Sequence, residues 1–245
     1  MEPSHRVKLP SRPQDKIIIA LDVPDTDGAL RLIDSLSDHG QPPSLCKIGL
    51  ELFTAEGPSV VKAIKSRGCK VFLDLKFHDI PNTVAHAIKS AAGLGVTMTT
   101  LHAVGGPVML EAAAKAAQES GGSELLLLAV TVLTSMDAAQ LSSTGISLEP
   151  KEQVLRLAGL ASDAGIGGVV CSPLEISAIR ETFGDKLRVV TPGVRPTWAA
   201  TGDQKRVMTP AEAVKAGSDW LVIGRPITAA ENPKEAYAKV VEELI

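Results

Sequence analysis

From Ile17 to the C-terminus the chain alternates short β-branched runs with longer amphipathic stretches, and it does so eight times. The expected strands are 17–22, 44–49, 70–75, 96–101, 124–132, 167–171, 187–191 and 219–223; the expected helices fall near 26–39, 57–67, 82–93, 106–119, 150–164, 173–183, 210–216 and 232–244. Gly68, Gly95, Gly121 and Gly165 stand where helices should end. Eight βα units about 30 residues apart, with no linker composition between them, predict one closed (β/α)8 TIM barrel over 16–245. An open doubly wound sheet is the alternative. Residues 1–15 read as a flexible N-terminal tail. The apolar residues are mostly Ala, Val, Leu and Ile, with aromatics at 3%, as suits strands buried on both faces.

The same composition excludes several function classes. A net charge of −3 with no basic run gives no electrostatic case for nucleic acid or an anionic membrane, and the scarcity of aromatics removes stacking platforms for bases. The longest apolar runs, such as Leu125 to Val130, are far short of a membrane span, and the first residues contain no hydrophobic signal segment. Cys46, Cys69 and Cys171 are odd in number, lack C-x-x-C spacing and lie in or beside apolar runs. They read as reduced core thiols of a cytoplasmic protein.

In a barrel of this kind, chemistry belongs to the C-terminal ends of the strands and the loops after them. The stretch Lys70 to Thr83, KVFLDLKFHDIPNT, ends a buried strand on Asp74, Lys76 and Asp79 in the spacing D-x-K-x-x-D. In a regular strand Asp74 and Lys76 project to one side, about 6.5–7 Å apart along the backbone. A carboxylate and an ammonium in a strand-end cavity are costly without charged partners, so the pair points to a site; a solvated salt bridge is the alternative. Pro81 then opens a helix. The chain turns away after Lys76, and Asp79 is not expected to point back into the same pocket. Lys47, late in strand two between Cys46 and Ile48, needs a nearby carboxylate, for which Asp74 is the obvious candidate. Asp22 is either a turn residue or a ligand, His102 reads as a satisfied strand-end histidine with a catalytic role as the alternative, His78 reads as a loop residue without chemistry, and Ser172 before Pro173 reads as a helix cap. Thr134 closes strand five. The ends of strands seven and eight resemble a phosphate grip, with Gly224 allowing close backbone approach and Arg225 a bidentate contact. The long connection 191–210, with Lys205 and Arg206, is expected to be a lid over that phosphate.

These residues resemble the orotidine 5′-monophosphate decarboxylase family, of the bacterial type. The motifs are ALDVP (20–24), KIGLELF (47–53), DLKFHDIPNTV (74–84), TVLTSM (131–136), TPGVRP (191–196), GDQKRV (202–207) and IGRPI (223–227). The resemblance implies a (β/α)8 homodimer that needs no cofactor and no metal and converts orotidine monophosphate to uridine monophosphate and carbon dioxide, the last step of UMP synthesis. By motif, Lys76 is the implied proton donor within a charged array of Lys47, Asp74 and Asp79, the last supplied by the partner subunit. Asp22 and Thr83 are implied ribose ligands, with Thr83 also crossing the interface. Thr134 is implied at the pyrimidine, and Arg195, Gln204, Gly224 and Arg225 at the phosphate end.

The chemistry fits the charges without the family. Loss of carbon dioxide from an sp² ring carbon with no electron sink leaves a localised carbanion, so fixed positive charge must wait where it forms. Lys76 supplies that charge and a proton. Asp74 beside the departing carboxylate disfavours the ground state, and contacts to a remote phosphate supply binding energy for closure. Two rivals remain. The metal-dependent 3-keto-gulonate 6-phosphate decarboxylases share D-x-K-x-x-D but carry a metal-binding Glu at the strand-two position, which is Lys47 here. A non-catalytic phosphate-binding barrel has no use for two buried lysines and two aspartates.

Overall fold

Runs such as IIIA (17–20), LCKI (45–48) and WLVI (220–223) are buried at every position, so the sheet they build has to be covered on both faces. The computed structural model describes residues 8–120, 125–199 and 208–245. The strands are β1 (Ile17–Ala20), β2 (Leu45–Ile48), β3 (Lys70–Phe77), β4 (Met98–His102), β5 (Leu126–Val130), β6 (Gly168–Val170), β7 (Arg188–Pro192) and β8 (Trp220–Ile223). All pair in parallel and in sequence order, and β8 closes on β1 through Ile17↔Leu221 to Ile19↔Ile223. The expected barrel is the one observed, and the open sheet is excluded by that last pairing.

Strand alternation sorts the core into two layers. Ile18, Leu45, Phe72, Met98, Leu128 and Trp220 fill the barrel interior, while Ile17, Ile19, Cys46, Ile48, Val71 and Leu73 face the surrounding helices. All three cysteines are buried and free. No helix among the described residues is long and apolar enough to cross a membrane.

Local differences from expectation have local causes. The helix expected near 57–67 is Ser59–Ser66, and a further helix, Leu50–Glu56, precedes it; the two are separated where Gly57 turns into the left-handed region at φ 63° and Pro58 follows it. The expected helix 173–183 begins as a 3₁₀ turn, Pro173–Glu175, capped by the Ser172 hydroxyl, which accepts from Leu174 N–H at 3.3 Å; an α-helix follows over Ile176–Phe183. Besides Leu50–Glu56, two short helices were not expected: Ala138–Ser143, held by an Asp137/Gln140 capping box, and Arg225–Thr228. Before β1, Pro13–Lys16 form a 3₁₀ turn, and Asp15 accepts from the Ser44 hydroxyl at 2.5 Å. Residues 1–7 of the expected tail lie outside the described residues.

One irregularity positions the site. β3 and β4 pair as Phe72↔Met98 and Leu73↔Thr99, then resume at Phe77↔Leu101. Asp74, Leu75 and Lys76 therefore stand opposite the single residue Thr100. This is a bulge, and it occupies the strand end where a barrel places its reactive groups.

Candidate active site

The ends of β1, β2 and β3 bring alternating charges together. Lys47 is buried; its Nζ donates to Asp22 Oδ1 at 3.1 Å and lies 3.8 Å from Asp74 Oδ2. Lys76 Nζ donates to both Asp74 oxygens at 2.9 Å. The order Asp22, Lys47, Asp74, Lys76 thus gives each ion an opposite neighbour, the condition under which charge tolerates burial. The Lys47 and Asp74 side chains are 10% and 13% exposed, against 30% for Lys76. Lys76 is therefore the cation of this row that opens most to solvent.

Lys47 has the expected Asp74 within ion-pair distance and a nearer second partner in Asp22, which follows β1. One expectation is corrected here: Lys76 is not in a regular strand. Its φ is 52°, one of two positive values at non-glycine residues among those described, a conformation costing about 1–3 kcal/mol that persists only where the surroundings impose it. The Asp74–Lys76 ion pair is a product of the bulge as much as of strand alternation.

Lys47, Asp74 and Lys76 line a cavity of about 180 Å³. Val130, Val132, Val170 and Val222 supply apolar lining, and Thr134 and Pro192 also line it. Such a pocket takes a flat ring against its apolar side and presents two ammonium groups and a carboxylate to one edge. The remaining expected residues lie at the rim or outside it. A Cβ on Gly224 would come within 3.5 Å of Asp22 Oδ2 and 3.4 Å of the Ala20 Cβ, which sets the close approach of the β8 end to the β1 end. Arg225 is exposed at the start of its short helix, and Arg195 is half-buried, its guanidinium donating to the Val194 carbonyl at 3.0 Å. Asp79 and Thr83 are exposed and do not line the cavity; Asp79 Oδ1 accepts from Ile80 N–H at 2.6 Å. Gln204, Lys205 and Arg206 lie outside the described residues, as does 200–207 of the expected lid. His102 ends β4 with its ring centroid 5.6 Å from that of His78. Burial, then the charges of His78 and Lys76, hold its imidazole below the usual histidine range, with Asp74 opposing.

Residues 15–240 match the model of the orotidine 5′-phosphate decarboxylase / HUMPS family. The chain belongs to that family. It is 51% identical over 235 residues to orotidine 5′-phosphate decarboxylase of Nostoc sp., covering 94% of this chain and 97% of that one. To the enzyme of the same name from Halorhodospira halophila it is 54% identical over 231 residues, covering 94% and 95%. The crystal structure of orotidine 5′-phosphate decarboxylase from Lactobacillus acidophilus superposes with a TM-score of 0.82 at 40% identity, covering 93% of this chain and 98% of that one. The family resemblance read from the motifs is thus borne out over nearly the whole chain.

Gly49 is a site residue that sequence reasoning missed in this family member. A Cβ there would stand 2.9 Å from Lys47 Nζ and 3.5 Å from Asp22 Oδ1. The signal was present, a glycine two residues after a strand-end lysine, but nothing in the sequence tells which side chain folds back over it. Gly49→Ala should displace the flexible end of Lys47 with little effect on folding. The expected outcome is a melting temperature within a few degrees of wild type and kcat/KM lowered about 10-fold or more, since small misplacements of charge are costly in a preorganised site. Unchanged kinetics would place Lys47 Nζ elsewhere during turnover.

Proposed function

We propose that the chain decarboxylates orotidine 5′-monophosphate to uridine 5′-monophosphate without cofactor or metal, using Lys76 as proton donor within an array of Lys47, Asp74, Lys76 and the Asp79 of a second subunit. The enzyme is a carboxy-lyase of pyrimidine biosynthesis. The bond from C6 to the carboxylate carbon breaks, carbon dioxide leaves, and the electron pair left on C6 takes the Lys76 ammonium proton; the neutral amine then recovers a proton from water. Lys47 and Lys76 present fixed positive charge as the carbanion forms, which requires no reorganisation at that moment. Asp74 faces the substrate carboxylate as a like charge. Thr134 contacts the pyrimidine, Asp22 and Thr83 the ribose, and Arg195, Gln204, Gly224 and Arg225 the phosphate.

The observation that carries this reading is the ion-paired row Asp22–Lys47–Asp74–Lys76, whose last three members line a cavity with Val130, Val132, Val170 and Val222. At the β2 position, where a metal-dependent decarboxylase places a carboxylate ligand, the side chain is an ammonium engaged by two aspartates, and an ammonium has no lone pair for a cation. A homodimer is supported by what surrounds Asp79. Ile80, Val104 and Val108 are 67%, 47% and 67% exposed; Ile80 follows β3 next to the exposed Asp79, and the two valines follow β4. A second copy would cover them and receive Asp79 and Thr83. The catalytic barrel falls within 16–245, and the protein works in the cytoplasm.

The test is loss of orotidine monophosphate absorbance on mixing with purified protein after exhaustive chelation. Full activity in EDTA is expected. Activity that disappears and returns with Mg²⁺ moves the chain to the metal-dependent branch, and no decarboxylation in either condition leaves a binding barrel.

A further inference from the structure

The bulge in β3 leaves backbone and carboxylate groups that the ladder to β4 no longer serves, and two consecutive threonines of β4 take them up. Thr99 is buried, and its hydroxyl donates to the Leu73 carbonyl at 2.8 Å. Thr100, also fully buried, makes two bonds. Its Oγ1 accepts from the Lys76 backbone N–H at 2.9 Å and donates to Asp74 Oδ1 at 2.9 Å. A hydroxyl has one proton and two lone pairs. With the proton directed at Asp74, a lone pair is left for Lys76, so both contacts are made at once and each fixes the other's direction.

We infer that Thr100 is a positioning residue of the decarboxylation: its hydroxyl sets the Asp74 carboxylate and the left-handed Lys76 backbone in register, and so places the Lys76 ammonium. This rests on the reading of Lys76 as proton donor. Two observations support it independently. The hydroxyl is the partner of the Lys76 N–H at the one place where three residues of β3 face a single residue of β4, and Lys76 holds a φ of 52° that a β-strand does not impose. Thr100 is not among the residues lining the cavity, so it acts on the substrate only through Asp74 and Lys76. A regular strand at this point would need no such hydroxyl, because the ladder itself would take the Lys76 N–H.

Thr100→Val keeps the shape and removes both bonds; Thr100→Ser keeps the hydroxyl and removes a methyl group. The valine variant should lose about 10- to 100-fold in kcat, the range for a hydrogen bond to a charged group, with KM for orotidine monophosphate within about 3-fold, because no substrate contact is lost. The serine variant should keep kcat within about 3-fold of wild type. Thr99→Val, which removes the neighbouring hydroxyl on the helix-facing side, should lower the melting temperature but cost much less in kcat than Thr100→Val. Should Thr100→Val not fold, the same comparison is read from Thr100→Ser against Thr100→Ala.

Lys76→Ala, measured alongside, separates the two levels. If it still turns over, the proton-donor reading fails and takes this inference with it. If Lys76→Ala is inactive while Thr100→Val has wild-type kcat, only the role of Thr100 falls. Equal losses in the serine and valine variants, or in Thr99→Val and Thr100→Val, would mean that packing or general bulge stability is at work, and would also overturn it.

Discussion

Lys76→Ala should leave a folded barrel with no measurable turnover. The side chain it removes is the most exposed cation of the charged row, and it is asked to do two things, to stabilise charge on the ring carbon and to protonate it. Each contributes roughly 10²- to 10⁴-fold in enzymes where it has been isolated, so a combined loss of at least about 10⁴-fold in kcat is expected. Folding should survive for a structural reason. Asp74, which loses its Lys76 partner, keeps Lys47 at 3.8 Å and the Thr100 hydroxyl at 2.9 Å, so the buried carboxylate is not left alone. Circular dichroism and thermal melting check the fold, and a variant retaining more than a tenth of wild-type kcat would remove Lys76 from the chemistry.

The architecture was legible because its strands are buried on both faces. A run such as IIIA or WLVI has no polar alternation to confuse with a surface strand, and the spacing of eight such runs leaves little choice beyond the closed barrel. The charged site was legible for a similar reason: Lys47, Asp74 and Lys76 are conspicuous in apolar strand ends. What could not be read was how those groups meet. The bulge depends on the register of β3 against β4, which alternation within β3 does not encode, so the left-handed Lys76 and the roles of Thr99 and Thr100 appear only when both strands are seen together. For the same reason Lys47 was matched with Asp74, on the neighbouring strand, although Asp22 from β1 lies closer. Gly57–Pro58 is a strong breaker pair in the sequence, but the apolar spacing of KIGLELF on its N-terminal side is too short to separate the helix Leu50–Glu56 from a strand end and loop.

The shared site is the part of the account with the most at stake. Lys76 lines the cavity of its own chain, whereas Asp79, three residues later and past the bulge, is exposed and lines none of it. If a two-fold dimer builds each site from one chain's Lys76 and the other's Asp79, Lys76→Ala and Asp79→Ala are each inactive as homodimers for different reasons, and one chain can supply what the other lacks. Random exchange makes half the dimers mixed. Each mixed dimer holds one site with both residues intact and one with neither, so about a quarter of wild-type activity should return by this two-fold counting.

The decisive measurement is therefore the specific activity of an equimolar mixture of the two inactive variants, with subunit exchange confirmed by mass-tagged heterodimers. The account predicts recovery from background to about a quarter of the wild-type rate, rising on the timescale of exchange. Confirmed heterodimers with no recovered activity would contradict it, and would assign Asp79 to the site of its own chain.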